Sequence, residues 1–146
     1  GMTKFSAMAL AATKMAGSAF LQPSPGHAAI PISLECSAEG ASDISMRARF
    51  ERRASGRRKF NTEFEAAPGG IYKAGQLMAV FVADFKAGTV RLVTVAGGDV
   101  AGELQLDDAA DGVGEKPFPP GFPQIVRGTR VLVKIAAQTA LACRLQ

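Results

Sequence analysis

Histidine, cysteine and tryptophan are nearly missing from this 146-residue chain, which has one His, two Cys, no Trp and one Tyr. The lone histidine, His27, excludes a multi-histidine metal site. It also makes a serine triad improbable, because it falls in the proline-rich linker. Two cysteines and no CxxC pair exclude a four-thiolate zinc site. No phosphate-cradling GxxxxGK[ST] segment occurs. No apolar run approaches the roughly 20 residues of a membrane-spanning helix, so no permanent span is expected. Most cofactor-dependent and metal-dependent chemistries therefore lack their residues, and no cofactor is expected.

What is present is an ordinary globular balance, 47% apolar and 21% charged, at a length that suits one domain. A chain of this size buries roughly two thirds of its unfolded surface, so it needs no covalent staple. Cys36 and Cys143 both fall on apolar faces. They read first as two small buried hydrophobes. The alternative is a disulfide joining the first and last strands, which requires Cα atoms within about 7 Å.

Period-two alternation dominates from Ile32 onward. Ile32–Ser37 sets Ile32, Leu34 and Cys36 against Ser33, Glu35 and Ser37. In Ile44–Arg52, Ile44, Met46, Ala48 and Phe50 alternate with Ser45, Arg47, Arg49 and Glu51. A turn at Ala54-Ser55-Gly56 leads to Lys59–Ala66, with Phe60, Thr62, Phe64 and Ala66 on the dry side. This predicts a hairpin with one wet face, and a register that sets Arg49 opposite Glu63 and Arg47 opposite Glu65. Gly75–Asp107 reads as a three-strand meander: Gln76–Phe85, a KAG turn, Thr89–Val95, a turn on Gly97-Gly98, and Val100–Asp107. Gln76–Phe85 is apolar on both alternating faces, which predicts a central strand covered above and below. A bulged or three-residue turn at Gly97-Gly98 is expected to set Leu92 opposite Leu104 and Val90 opposite Leu106. After the proline-rich stretch 108–123 come Arg130–Ala136, a turn at Ala137–Thr139, and Ala140–Leu145. The sum is an all-β domain over residues 32–146 with about eight strands. Short connections favour an antiparallel two-sheet sandwich, with a closed barrel as the alternative. The 108–123 loop is the expected crossover between sheets, its Phe118 and Phe122 plugging the sandwich edge.

Residues 1–31 read as an N-terminal arm. Phe5, Met8, Ala12, Met15, Ala19 and Phe20 follow helical spacing, and Pro23 and Pro25 end the pattern. An amphipathic docked helix is one expectation; an export signal with a small-residue cleavage site near Gly26-His27-Ala28 is the other. An exported or periplasmic location is the leaning.

Charge is unevenly placed. The chain carries a formal +4, yet Arg47 to Lys59 holds seven cations and one acid, a net +6. Arg52, Arg53, Arg57, Arg58 and Lys59 gather near one turn, where arginine forks suit phosphates, carboxylates or an acidic protein surface. A nucleic-acid reading lacks exposed aromatics for base stacking. The acidic counterpart is Glu103, Asp107, Asp108, Asp111 and Glu115. It has partial calcium-loop spacing without the acids needed at the third and twelfth places, and it offers a seat for the basic hairpin of another subunit. The expected function is a non-enzymatic binding or structural module acting through protein–protein contacts, including self-association. An anion-binding protein using the Arg-rich hairpin, with nucleic acid or lipid headgroups as ligand, is the alternative. A hydrolase built on Asp107, Asp108 or Glu115 is the third reading, and nothing in the sequence points to it.

Overall fold

A computed structural model describes residues 29–146. The expected N-terminal helix, the signal-like cleavage site and His27 lie outside them. The described residues form ten strands and no helix: β1 (Ile32–Gly40), β2 (Ile44–Arg52), β3 (Arg58–Ala66), β4 (Leu77–Val82), β5 (Phe85–Arg91), β6 (Val93–Thr94), β7 (Val100–Asp107), β8 (Glu115–Lys116), β9 (Arg130–Ile135) and β10 (Gln138–Arg144). The first sheet runs β1-β2-β3-β7-β6, with β8 pairing β7; the second runs β10-β9-β4-β5. The fold is an antiparallel two-sheet β-sandwich, not a closed barrel. Its parallel pair is the two-residue β7–β8 contact, reached through the loop that follows Asp107.

Inward side chains from both sheets make one core. Phe50, Phe60, Phe64, Leu104 and Leu106 enter from the first sheet; Met78, Val80, Val82, Val131, Val133 and Ile135 enter from the second. Space between the sheets is tight at Gly102, where a Cβ would stand 2.7 Å from the Met78 sulfur and 3.1 Å from Leu92. Only a residue without a side chain lets the sheets approach this closely. Phe122 stacks 5.8 Å from Phe60 and 6.0 Å from Phe85. The phenylalanines of the proline-rich loop thus plug an end of the sandwich, as their apolar character required.

Several expectations are corrected. The β2–β3 register is shifted by two residues: Arg47 faces Glu63, and Arg49 faces Asn61. The shift is even, so every side chain keeps its face. The first turn of the meander falls on Ala83-Asp84, inside the strand expected over Gln76–Phe85, and Lys86-Ala87-Gly88 is part of β5. β4 is central in its sheet, but only Met78, Val80 and Val82 are buried; Leu77, Ala79 and Phe81 point to the outer face. The meander also leaves its sheet. Leu92 still bonds to Gln76 and Gly75 beside β4, whereas Val93 and Thr94 pair with β7 in the other sheet. A three-residue turn closes between Val95 and Asp99. It sets Val93 against Ala101, so the expected Leu92–Leu104 and Val90–Leu106 pairs do not form. The chain crosses between sheets three times, in 67–76, at Leu92 and in 117–129, rather than in 108–123 alone.

The cysteines are bonded. Cys36 on β1 and Cys143 on β10 have Cα atoms 5.8 Å apart and are separated by 107 positions, so the disulfide alternative replaces the expected pair of free thiols. It ties the edge strand of one sheet to the edge strand of the other. Glu35 and Gln146 exchange backbone hydrogen bonds of 3.1 Å beside it. An edge that would otherwise present unpaired backbone groups is closed there.

Candidate functional site

The Arg-rich tip is built by β2, β3 and the turn between them. Gly56 adopts φ of 92°, and Arg53 and Arg57 pair through their backbones at 2.9 Å. Antiparallel pairing of β3 with β7 sets Lys59 against Asp107, which brings the tip beside the acidic stretch of the same chain. Arg57 donates through Nε to Asp107 Oδ1 at 3.0 Å and through Nη2 to Oδ2 at 2.9 Å. Arg58 donates through Nε to Asp108 Oδ2 at 3.0 Å and through Nη2 to Oδ1 at 2.8 Å. Its guanidinium also lies 4.1 Å from the centre of the Phe118 ring.

These two forks dominate the local electrostatics. The Arg57 hydrogen bonds, with a further one from the Ala109 N–H, hold the buried Asp107 carboxyl down to about 2. Arg58 lowers Asp108 in the same way, and the carboxylates raise both guanidinium groups in return. Two acids of the stretch, Asp107 and Asp108, therefore hold arginines of their own chain's hairpin. Of the five predicted anion-binding residues, the structure places Arg57 and Arg58 in these pairs. Arg53 projects into solvent, Lys59 faces the outer surface of the sheet, and Arg52 is half-buried between Ile32 and Arg58 in the ladder.

The calcium-loop reading is overtaken by the same geometry. Asp107 is committed to Arg57, and Glu115 accepts the backbone N–H groups of Asp111 and Gly112 at 3.3 and 3.0 Å. Among the described residues no cluster of three or more His, Cys, Asp or Glu is arranged to hold a metal ion.

A broader feature lies on the outward faces of the two sheets. The register of β1, β2, β3, β7 and β8 turns Glu35, Glu39, Glu51, Glu63, Glu65, Glu103 and Glu115 outward, with Arg47, Arg49 and Lys59 among them; Asp107, in the same row, is buried beneath Arg57. Seven acids against three cations make this face acidic. Glu63 stands directly opposite Glu103. Glu103 accepts a hydrogen bond from Asn61, while Glu63 makes no ion pair among the described residues. Two shallow depressions of about 400 and 680 Å³ meet at this pair.

The second sheet is the reverse. Its four strands carry Lys86, Arg91, Arg130, Lys134 and Arg144 and no Asp or Glu. The ladder turns these five cations outward, around Leu77, Ala79, Phe81, Leu132 and Ala142. Lys134 Nζ stands 5.1 Å from the centre of the Phe81 ring. This surface was missed in the sequence, although a count of charge by strand carries the signal.

No family model matches the chain, and no curated protein or solved structure does. Among the described residues, no helix is long and apolar enough to cross a membrane.

Proposed function

We propose that this domain is a non-enzymatic binding module that works through protein–protein contacts made by its two outer sheet faces. The observation that supports it is their opposite charge: seven acids against three cations on one, five cations on the other, with no acid in the strands of the second. Broad, shallow, charged surfaces suit a protein partner better than a small molecule, which favours an enclosing pocket. The directly opposed Glu63 and Glu103 cost local stability, a cost that a cationic partner relieves. The Cys36–Cys143 bond is of the kind that persists in oxidising compartments, which supports an exported location.

Two other readings have less support. An anion-binding tip loses two of its five cations, Arg57 and Arg58, to carboxylates of the same chain. A hydrolase acid needs a raised pKa, and Asp107 and Asp108 are held low.

Fluorescence anisotropy with short oligolysine and oligoglutamate peptides tests the proposal. Glu63→Gln/Glu103→Gln is expected to weaken oligolysine binding at least about threefold and spare oligoglutamate, and Lys86→Gln/Lys134→Gln to do the reverse. Indifference of both peptides to both pairs of substitutions removes the reading. Binding of oligoglutamate that depends instead on Arg53, Arg57 and Arg58 restores the anion-binding tip.

A further inference from the structure

We infer that the protein-binding surfaces are made for each other: the outer face of the second sheet docks on the outer face of the first sheet of another copy. This deepens the function proposed above and rests on it. Each half of the contact is on the molecule. The second-sheet face offers cations set among apolar side chains, with Leu77 46% exposed in a β-strand. Its central strands are β9 and β4, and Lys134 over Phe81 stands in their midst. The first-sheet face centres on β3, where Glu63 opposes Glu103 across the ladder to β7.

Opposed Cβ atoms in such a ladder lie about 4.5–5.5 Å apart, close enough for one ammonium group to reach both carboxylates. Lys134 or Lys86 of an incoming copy supplies that group, and the aliphatic stems cover apolar surface as the charges pair. Arg47 also flanks Glu63 in the register but makes no ion pair with it among the described residues, which leaves the glutamate open to an external cation.

The geometry of such a contact has consequences. The two surfaces are different, so the association is head-to-tail and does not close on itself as a two-fold dimer does. Four strands about 4.8 Å apart, each six or seven residues long at about 3.3 Å per residue, cover about 400 Å². A contact burying about 800 Å² in total falls below the usual range of stable complexes. Association is therefore weak, concentration-dependent and sensitive to salt.

Sedimentation velocity of the full chain tests this. At about 20 mM salt the weight-average mass is expected to rise with concentration, and at about 500 mM to return to that of the monomer. Lys86→Glu/Lys134→Glu disables one face, and Glu63→Lys/Glu103→Lys disables the other. Each is expected to be monomeric alone. Mixed, they are expected to associate again, because the two unaltered faces meet and the two reversed faces are once more opposite in charge. Circular dichroism checks that both remain folded. Should either fail to fold, the neutral pairs Lys86→Gln/Lys134→Gln and Glu63→Gln/Glu103→Gln replace them, each expected to weaken self-association about tenfold.

A monomeric wild type at low salt, assembly unaltered by either reversal, or a mixture that stays monomeric overturns the inference. If the monomer instead sediments with phosphatidylserine-containing vesicles, and Lys86→Glu/Lys134→Glu abolishes this, the second-sheet face belongs to a membrane. Failure of self-association with both peptides still bound face by face sinks this inference and leaves the protein-binding function standing. Loss of peptide binding as well sinks both.

Discussion

Asp107 shows what a single residue does here. It is buried at the end of β7 and grips Arg57 with both oxygens. Its pKa falls from 3.8 to about 2 in the folded chain. A carboxyl lowered by folding stabilises the native state fully above its unfolded value, and this stabilisation fades as pH drops through the folded value. Urea denaturation across an acid pH series is therefore expected to show stability declining between about pH 4 and pH 2. Asp107→Asn is expected to lower the midpoint at neutral pH and to shrink that acid slope; Asp108, also lowered, supplies what is left of it. An unchanged slope in Asp107→Asn contradicts the assignment. The pairing was not legible in the sequence. Arg57 and Asp107 stand 50 positions apart, and nothing local says that β7 lies beside β3. The face each residue occupies was legible, because alternation decides it within a strand.

Strands are legible where polar and apolar residues alternate, and glycine marks the turns at Gly56 and at Gly97-Gly98. β2 was expected over Ile44–Arg52 and is found there. The two tight turns of the second sheet were misplaced for one shared reason. Val82 pairs with Phe85 across Ala83-Asp84, and Ile135 pairs with Gln138 across Ala136-Ala137. All four central residues have positive φ, between 48° and 67°. Hairpin turns of this class favour Asn-Gly, so alanine and aspartate gave no signal, while the glycine of KAG offered a false one next to the β5 irregularity. Left-handed backbone costs a side-chain-bearing residue about 1–2 kcal/mol. Replacing Ala136-Ala137 by Asn-Gly is accordingly expected to stabilise the domain by about 1–2 kcal/mol in chemical denaturation. A loss of stability instead means that these alanines do not hold the left-handed conformation.

At the scale of the whole molecule, the Cys36–Cys143 bond joins the two sheets across 107 positions. Closing so long a loop restricts the unfolded chain, and losing the bond is expected to cost about 2–5 kcal/mol. Denaturant midpoints of the oxidised protein, the reduced protein and Cys36→Ser/Cys143→Ser measure it. Coincident midpoints for oxidised and reduced protein rule out the staple as a source of stability. The sequence by itself determined the all-β class, the antiparallel sandwich and the inward or outward face of nearly every strand residue. Those properties follow from alternation, which acts over neighbouring residues and survives an even shift of register. Tertiary structure alone decided which strands lie side by side, where the chain changes sheet, that the cysteines meet, and that two of the five cations of the Arg-rich tip are neutralised by their own chain. It also gathered five scattered cations onto one face. Each of these depends on residues distant along the chain being packed into one core, and local spacing carries no record of which distant segments become neighbours.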